Sequence, residues 1–230
     1  MVQFAAVKRY VAMFDVLGFR ELIKTRSLES IAKFGTQFVQ SAKNIRHRWS
    51  SDLRRRLDVR VFQDTVIAIS NGGSQHDFLA TVLYAEALLR TAMLQKLGMR
   101  GALTFGDVFC DRHMVIGGAI SRVYEMEQQQ EWIGCWVDEC CVKRLNRATA
   151  TDHLWDILLA SYPIPLKAGP VKMEIAVNWV ALGFRDERLP AAWKRVKKKS
   201  LFPRSTWDVM RKLQNTDRFV TAMLKLPGVH

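Results

Sequence analysis

The chain reads Tyr10-Val-Ala-Met-Phe-Asp15-Val-Leu-Gly-Phe19 near its start, and this stretch decides the fold. The apolar run predicts a buried β-strand that carries a carboxylate at its tip. A second apolar stretch follows, Asp58-Val-Arg-Val-Phe-Gln-Asp64-Thr-Val-Ile-Ala-Ile69, with another aspartate inside it. An unpaired carboxylate in such surroundings is very costly, and a divalent cation can compensate two of them at once. Asp15 and Asp64 therefore predict a site for Mg²⁺ or Mn²⁺ that also holds a triphosphate, which indicates phosphoryl-transfer chemistry.

Size and composition are those of one globular domain with a full core and room for an appendage. The 230 residues are 49% hydrophobic, and the formal net charge is +13 with a pI near 9.9. This charge favours anionic ligands such as nucleotides, nucleic acid or acidic lipid, with a solvated basic surface as an equal alternative. No apolar run reaches the length of a membrane span, and the first ten residues lack the order of a signal peptide. These features, with four cysteines that lack C-x-x-C spacing, predict a cytoplasmic protein with free thiols.

The hydrophobic periodicity predicts the element order β-α-β-β-α-β-β-α-β-α. Local hairpins mixed with crossovers indicate an α+β sandwich, in which helices cover a largely antiparallel sheet. Within it, Asp77 is expected to cap a helix, and Gly106-Asp107 to form a turn between two strands.

The last third of the chain is expected to pack on the same core. Tyr162-Pro-Ile-Pro165 reads as a loop, Val171 to Leu182 as a strand, and Thr206 to Leu226 as an amphipathic helix. We therefore expect a main domain over residues 1–165, followed by a C-terminal strand and basic helix over residues 166–230.

Four segments resemble the class III nucleotidyl cyclases, which are the adenylate and guanylate cyclases. They occur in the family's order along the chain: Phe14-Asp15-Val-Leu-Gly-Phe19, Phe62-Gln-Asp64-Thr65, Arg100-Gly-Ala-Leu-Thr-Phe-Gly-Asp107 and Gly117-Gly-Ala-Ile-Ser121. Within that superfamily the chain looks most like the short bacterial pyrimidine cyclases of Pycsar antiphage defence, which make cyclic UMP or cyclic CMP from UTP or CTP. The resemblance makes residues 1–165 the cyclase catalytic domain. It also implies a homodimer that signals to a separate effector through its cyclic nucleotide.

The resemblance implies roles for individual residues. Asp15 and Asp64, with the carbonyl of Val16, are expected to bind two Mn²⁺ or Mg²⁺ ions per active site. The ribose 3′-oxygen would attack the α-phosphorus while pyrophosphate leaves, a reaction that depends mostly on positioning and charge neutralisation. Arg100 is the third expected catalytic residue and would neutralise phosphate or contact the base. The alternative is that Arg100 is a solvated cation at the edge of a strand. Nucleotide contacts are expected from residues around the two aspartates: Phe14, Leu17, Gly18, Phe19, Arg60 and Phe62.

Ser121 and Glu125 stand where mammalian-type cyclases carry the Asn and Arg that bind ribose and stabilise the transition state. The leading prediction is a pyrimidine nucleotide cyclase, with UTP preferred over CTP. The alternative is a catalytically degenerate cyclase-fold module that binds nucleotide or nucleic acid as a sensor. A palm-type polymerase or dinucleotide cyclase ranks last, because the chain lacks a Gly-Gly-Asp/Glu-Glu-Phe signature.

Overall fold

The structure is a computed structural model that describes residues 7–145, 152–169, 171–183, 188–198 and 207–226. Its strands are β1 (Val7–Val16), β2 (Leu57–Phe62), β3 (Thr65–Ser70), β4 (Met99–Cys110), β5 (Val115–Ile116), β6 (Gly134–Val137), β7 (Leu159–Ile164) and β8 (Lys172–Val177). Its α-helices are α1 (Phe19–Thr25), α2 (Leu28–Asn44), α3 (Ser51–Arg55), α4 (Gln75–Leu94), α5 (Gly118–Gln129), α6 (Glu139–Val142), α7 (Asp152–Leu158), α8 (Trp179–Gly183), α9 (Arg188–Lys198) and α10 (Trp207–Met223). A short 3-10 helix (Ile45–Arg48) follows α2.

The described strands form one sheet in the order β2-β3-β1-β4-β6-β8-β7, and β5 pairs with β4 outside this path. Neighbouring strands run antiparallel except β4 and β6, which are parallel. The prediction of an α+β fold with a mostly antiparallel, helix-covered sheet is confirmed.

The two faces of the sheet carry different cores. Tyr10, Phe14 and other alternate residues of β1 belong to the larger cluster, which also contains side chains of α1, α2 and α4. Val11 and Met13 face the other way into a smaller cluster with Val123 and other residues of α5, which packs on β4 and β1. Side chains of a strand alternate between faces, so Asp15 lies on the side of the smaller cluster.

The C-terminal part of the described chain joins the same sheet and core. Strand β8 pairs with both β6 and β7. Phe219 of α10 contacts the rings of Trp132, Tyr162 and Trp179, with centroids 4.8, 4.9 and 6.2 Å away. The expected domain division at residue 165 stays a prediction. None of the helices in the described ranges is both long and apolar enough to cross a membrane.

Two expectations about turns and caps are wrong. Gly106-Asp107 is not a turn, because β4 continues through it to Cys110, and Asp107 pairs with Lys8 of β1. The N-cap of α4 is Ser74, whose side chain accepts from the amide of Asp77 while the Asp77 carboxylate accepts from the amide of Ser74. This reciprocal capping box places Asp77 three residues inside the helix.

Two predictions about the last third also need correction. Tyr162 to Pro165 is not a loop, since β7 extends to Ile164. The predicted strand over Val171 to Leu182 ends at Val177, and α8 takes its second half.

Candidate active site

Asp15 and Asp64 meet at one end of the sheet. Asp15 is the penultimate residue of β1 and pairs with Thr65 of β3, while Asp64 lies in the tight turn between β2 and β3. Gln63, at φ 53°, makes this turn, and the amide of Val16 donates to the carbonyl of Asp64 at 3.2 Å. The two carboxyl groups lie close enough for Asp64 to raise the pKa of Asp15. The structure therefore brings together the two aspartates that the sequence singled out.

The Asp15 carboxyl group lies in an acidic, half-buried environment. Burial, the charges of Asp64 and Glu127 and the hydrogen bond with Asp64 raise the pKa of Asp15 to about 7, and Arg100 only partly opposes them. At neutral pH the Asp15 carboxyl group is thus protonated for part of the time, because the fold does not neutralise its charge. Carboxylate oxygens placed together in this way fit a hard divalent cation.

Arg100 lies opposite Asp15 in the pairing of β1 with β4, but its donors are directed elsewhere. Its Nε atom donates to Glu127 at 2.5 Å, and Nη1 donates to the carbonyl of Gln130 at 2.8 Å. Arg100 and Glu127 are both almost fully buried. Arg100 is therefore a buried ion-pair partner and not the solvated cation considered as its alternative. Its expected contact with phosphate or base stays a prediction.

The apolar side chains expected to contact nucleotide are mostly in the core. Phe14 is fully buried against Gly101, where an added Cβ would collide with its ring. Phe19 is buried too, and Leu17 packs on the same cluster. The Phe14 ring points to the opposite face of the sheet from Asp15, so its expected contact with nucleotide has no support within this chain and stays a prediction. Gly18, with φ 79°, is the N-cap of α1 and has the left-handed conformation that favours glycine, so it offers a ligand only its backbone.

Arg60 and Phe62, the other two expected nucleotide contacts, have different surroundings. Phe62 is 74% exposed beside the Asp64 turn. Arg60 donates to Asp58 at 2.9 Å and to the carbonyl of Asp111, and it contacts the Cys110 thiol at 3.2 Å. Within one chain, the structure does not direct Arg60 to the aspartate pair.

The oxygen atoms of the predicted metal ligands are of the kind that a divalent cation binds, and their role as ligands stays a prediction. Asp15 and Asp64 offer carboxylate oxygens, and Val16 brings its backbone to the same turn. In the described ranges, no cluster of three or more His, Cys, Asp or Glu side chains could hold a metal ion. Any cation here would thus complete its coordination with backbone, water or phosphate oxygens.

One polar group near the site was missed by the sequence reasoning, and a second buried carboxylate lies further along the sheet. Glu127, at the end of α5, binds Arg100 and is close enough to raise the pKa of Asp15. Asp138 accepts from Thr104 at 2.7 Å, from Arg122 and from the amide of Cys140. Glu127 has no sequence signal, because its contact with Arg100 joins elements that are distant along the chain, whereas Asp138 is the N-cap of α6, a position for which aspartate is a local sequence signal.

Comparison with known proteins finds relatives by structure alone. No protein-family model and no curated protein matches the sequence. A dimeric guanylyl cyclase domain of the RhoGC fusion protein from the fungus Blastocladiella emersonii superposes with a TM-score of 0.54, at 13% identity, over 74% of this chain and 93% of that one. The chain has the fold of the nucleotidyl cyclases.

Two further solved structures share this cyclase fold. The adenylyl cyclase CyaB from P. aeruginosa gives a TM-score of 0.52 at 13% identity, with 76% of this chain and 95% of that chain covered. The catalytic core of a rhodopsin-guanylyl cyclase with converted specificity, in complex with ATPαS, gives 0.55 at 12% identity, with 74% and 94% covered. Identities this low establish the cyclase fold, and activity must be argued from the site.

Proposed function

We propose that the protein is a nucleotide cyclase that converts a nucleoside triphosphate into a 3′,5′-cyclic monophosphate and pyrophosphate. The observation that carries this proposal is the contact between Asp15 and Asp64, two carboxylates from different elements whose charges the fold leaves largely uncompensated. A residue with a perturbed pKa beside a second carboxylate, as Asp15 is beside Asp64, is a candidate for a functional site. The cyclase fold gives this chemistry its context.

In the proposed reaction, the ribose 3′-oxygen bonds to the α-phosphorus, the bond to the leaving pyrophosphate breaks, and the hydroxyl proton passes to solvent. Asp15 and Asp64 would hold Mn²⁺ or Mg²⁺, with the Val16 carbonyl as a further ligand. Such ions supply charge neutralisation on the triphosphate and lower the pKa of the 3′-hydroxyl. The backbone of Gly18, the N-cap of α1, is the proposed contact for phosphate.

The substrate proposal is more specific than the fold. We assign UTP, or CTP as the second choice, because the segments Phe14–Phe19 and Arg100–Asp107 resemble the Pycsar pyrimidine cyclases, a family that tends toward cyclic UMP. The solved structures that superpose are guanylyl and adenylyl cyclases, so the preference for a pyrimidine rests on sequence resemblance. The same resemblance supports a homodimer in the cytoplasm, whose cyclic UMP or cyclic CMP activates a separate effector in antiphage defence.

The experiment is a turnover assay with the purified full chain, Mn²⁺ and each of the four ribonucleoside triphosphates. We expect cyclic UMP or cyclic CMP and an equal amount of pyrophosphate, and no product from Asp64→Asn. Asp107→Asn is the matched control, because Asp107 is an exposed aspartate in β4 at a distance from the pair. Cyclisation of ATP or GTP alone would overturn the pyrimidine assignment, and activity retained in Asp64→Asn would overturn the site.

A catalytically degenerate module that binds nucleotide or nucleic acid is the second candidate. It is favoured by Arg100, whose guanidinium is directed to Glu127 and Gln130, and by Ser121 and Glu125 in place of the family's Asn and Arg. This candidate predicts salt-dependent binding without release of pyrophosphate. The same assay separates the two functions, because only a cyclase releases pyrophosphate.

A further inference from the structure

A second polar cleft lies on the same face of the sheet as the aspartate pair. It is a cavity of about 560 Å³ between the start of β1, strand β2, the end of β3 and the end of β4. Arg9 of β1 lines it, and Asp15 lies six residues further along the same strand. At about 3.3 Å per residue, the two places are on the order of 20 Å apart along the strand. The cleft is thus separate from the proposed active site.

The acidic groups of this cleft already have partners. Asp58 accepts from Arg60 at 2.9 Å, so these two charges compensate each other. The Asp111 carboxylate accepts from the amides of His113 and Met114, both at 2.7 Å. These backbone hydrogen bonds lower the pKa of Asp111, which therefore stays ionised and tied to its own loop.

Arg9 and Arg112 supply the remaining positive charge. The Nε atom of Arg9 is buried and has no acceptor among the described residues, and its Nη1 makes only a long bond of 3.4 Å to the carbonyl of Ser70. A buried donor without an acceptor is costly, so an acceptor from outside the chain would stabilise this position. Arg112 is exposed and lines the same cleft, as does the amide side chain of Asn71.

We propose that this cleft binds the phosphate group of a small phosphorylated compound. Guanidinium groups recognise phosphate oxygens with paired, charge-assisted hydrogen bonds, and Arg9 and Arg112 are the donors that the chain leaves for them. The volume suits a ligand of mononucleotide size better than a bare ion. The side chains that line the cleft include no aromatic ring for stacking, so recognition is of the phosphate and not of a base. The proposal stands whether or not the protein is a cyclase.

The experiment is calorimetric titration of the full chain without divalent cations, using inorganic phosphate, pyrophosphate and UMP as separate ligands. We expect one site per chain and tighter binding of UMP or pyrophosphate than of inorganic phosphate, because the cleft has room beyond one phosphate group. The double variant Asp15→Asn/Asp64→Asn should bind as well as the wild type. The double variant Arg9→Gln/Arg112→Gln should bind at least tenfold more weakly.

The matched control is Lys8→Gln, which removes one exposed positive charge from the neighbouring position of β1 on the opposite face. We expect no change in affinity for this variant, and recovery of binding in Arg9→Lys/Arg112→Lys. Circular dichroism melts establish that each variant is folded, and a phosphate-induced rise in the melting temperature of the wild type gives an independent measure. Absence of binding by all three ligands, equal loss in Lys8→Gln, or full binding by folded Arg9→Gln/Arg112→Gln would overturn the proposal.

Discussion

Asp15 and Asp138 are both aspartates at the end of a strand on the same sheet, yet the fold treats them in opposite ways. Asp138 follows β6 and is almost fully buried. Burial opposes its ionisation, but hydrogen bonds from Arg122, Thr104 and the amide of Cys140 hold its pKa below the usual value. Asp15 instead lies beside Asp64 and Glu127, and its pKa is raised to about 7. The chain supplies hydrogen-bond donors to the Asp138 carboxylate, but it does not balance the negative charge of Asp15.

This difference separates a structural role from a functional one. A carboxylate with three donors from its own chain stabilises the packing of α5 and α6 on the sheet. A carboxylate whose nearest partner is another carboxylate costs folding free energy unless something binds it. The first type of residue is expected to matter for stability, and the second for cation binding and catalysis.

The effect that bears most directly on function is on cation affinity. Asp64→Asn should weaken binding of Mn²⁺ by at least about 100-fold, since even residues that only orient metal ligands cost 10–100-fold. Asp138→Asn should leave the affinity for Mn²⁺ within about threefold, because the Asp138 carboxylate already accepts hydrogen bonds from three donors of its own chain. Isothermal titration calorimetry measures both. Equal losses in the two variants would remove the distinction between the two aspartates.

The next effect is on stability. Glu127→Gln leaves the buried Arg100 without its ionised partner and should cost about 3–5 kcal/mol of the free energy of unfolding. Glu125→Gln changes an exposed residue on the same helix and should cost less than about 0.5 kcal/mol. Urea denaturation followed by tryptophan fluorescence gives both values. If Glu127→Gln were as stable as Glu125→Gln, the buried ion pair would contribute nothing to the free energy of unfolding.

The pH dependence of stability should differ in sign for the two aspartates. The pKa of Asp15 is raised on folding, so its protonated form stabilises the protein at low pH, and this contribution is lost as the pH rises to about 7. Asp138 has a lowered pKa, so its contribution is lost only as the pH falls below its ordinary range, about pH 4. Without divalent cations, Asp15→Asn should therefore gain stability relative to the wild type at pH 8, and gain less at pH 5.

Urea midpoints measured in EDTA at the two pH values provide the test for Asp15. Added Mn²⁺ should stabilise the wild type more at pH 8 than at pH 5, since the ion competes with the proton for the same oxygens. An identical difference between variant and wild type at both pH values would contradict the raised pKa.

The smallest effect is expected at the surface. The Arg122 side chain is 61% exposed, so its ion pair with Asp138 is screened by solvent. Arg122→Gln should cost no more than about 1 kcal/mol, because Thr104 and the amide of Cys140 continue to hold the carboxylate. The midpoint of urea denaturation measures this loss. A cost as large as that of Glu127→Gln would show that exposure does not weaken this pair.

Local pattern was sufficient to predict the sheet and the position of the aspartate pair. Asp15 and Asp64 come together because β1 pairs with β3 and the tight turn that precedes β3 carries Asp64, and both the strand and the hairpin have clear sequence signals. Arg100 and Glu127 could not be paired in advance, since 27 positions separate them and only the packing of α5 on β4 joins them. The burial of Phe14 follows from strand alternation, but the sequence does not say which face is covered.

The errors in secondary structure have physical causes as well. Gly106 lies within a strand because Ala119 of α5 packs against it, with an added Cβ only 3.3 Å from that of Ala119. The glycine thus serves close packing and not a turn. Pro163 lies within β7, the last strand of the sheet, and proline is tolerated at an edge because one side of an edge strand needs no donor.

Pro163 also affects how the molecule can associate with other chains. An edge strand normally offers a continuous row of amides and carbonyls, which is a template for strand addition and fibril growth. At β7 this row is interrupted, because proline has no amide hydrogen to offer. Growth of a cross-β assembly from this border is therefore disfavoured.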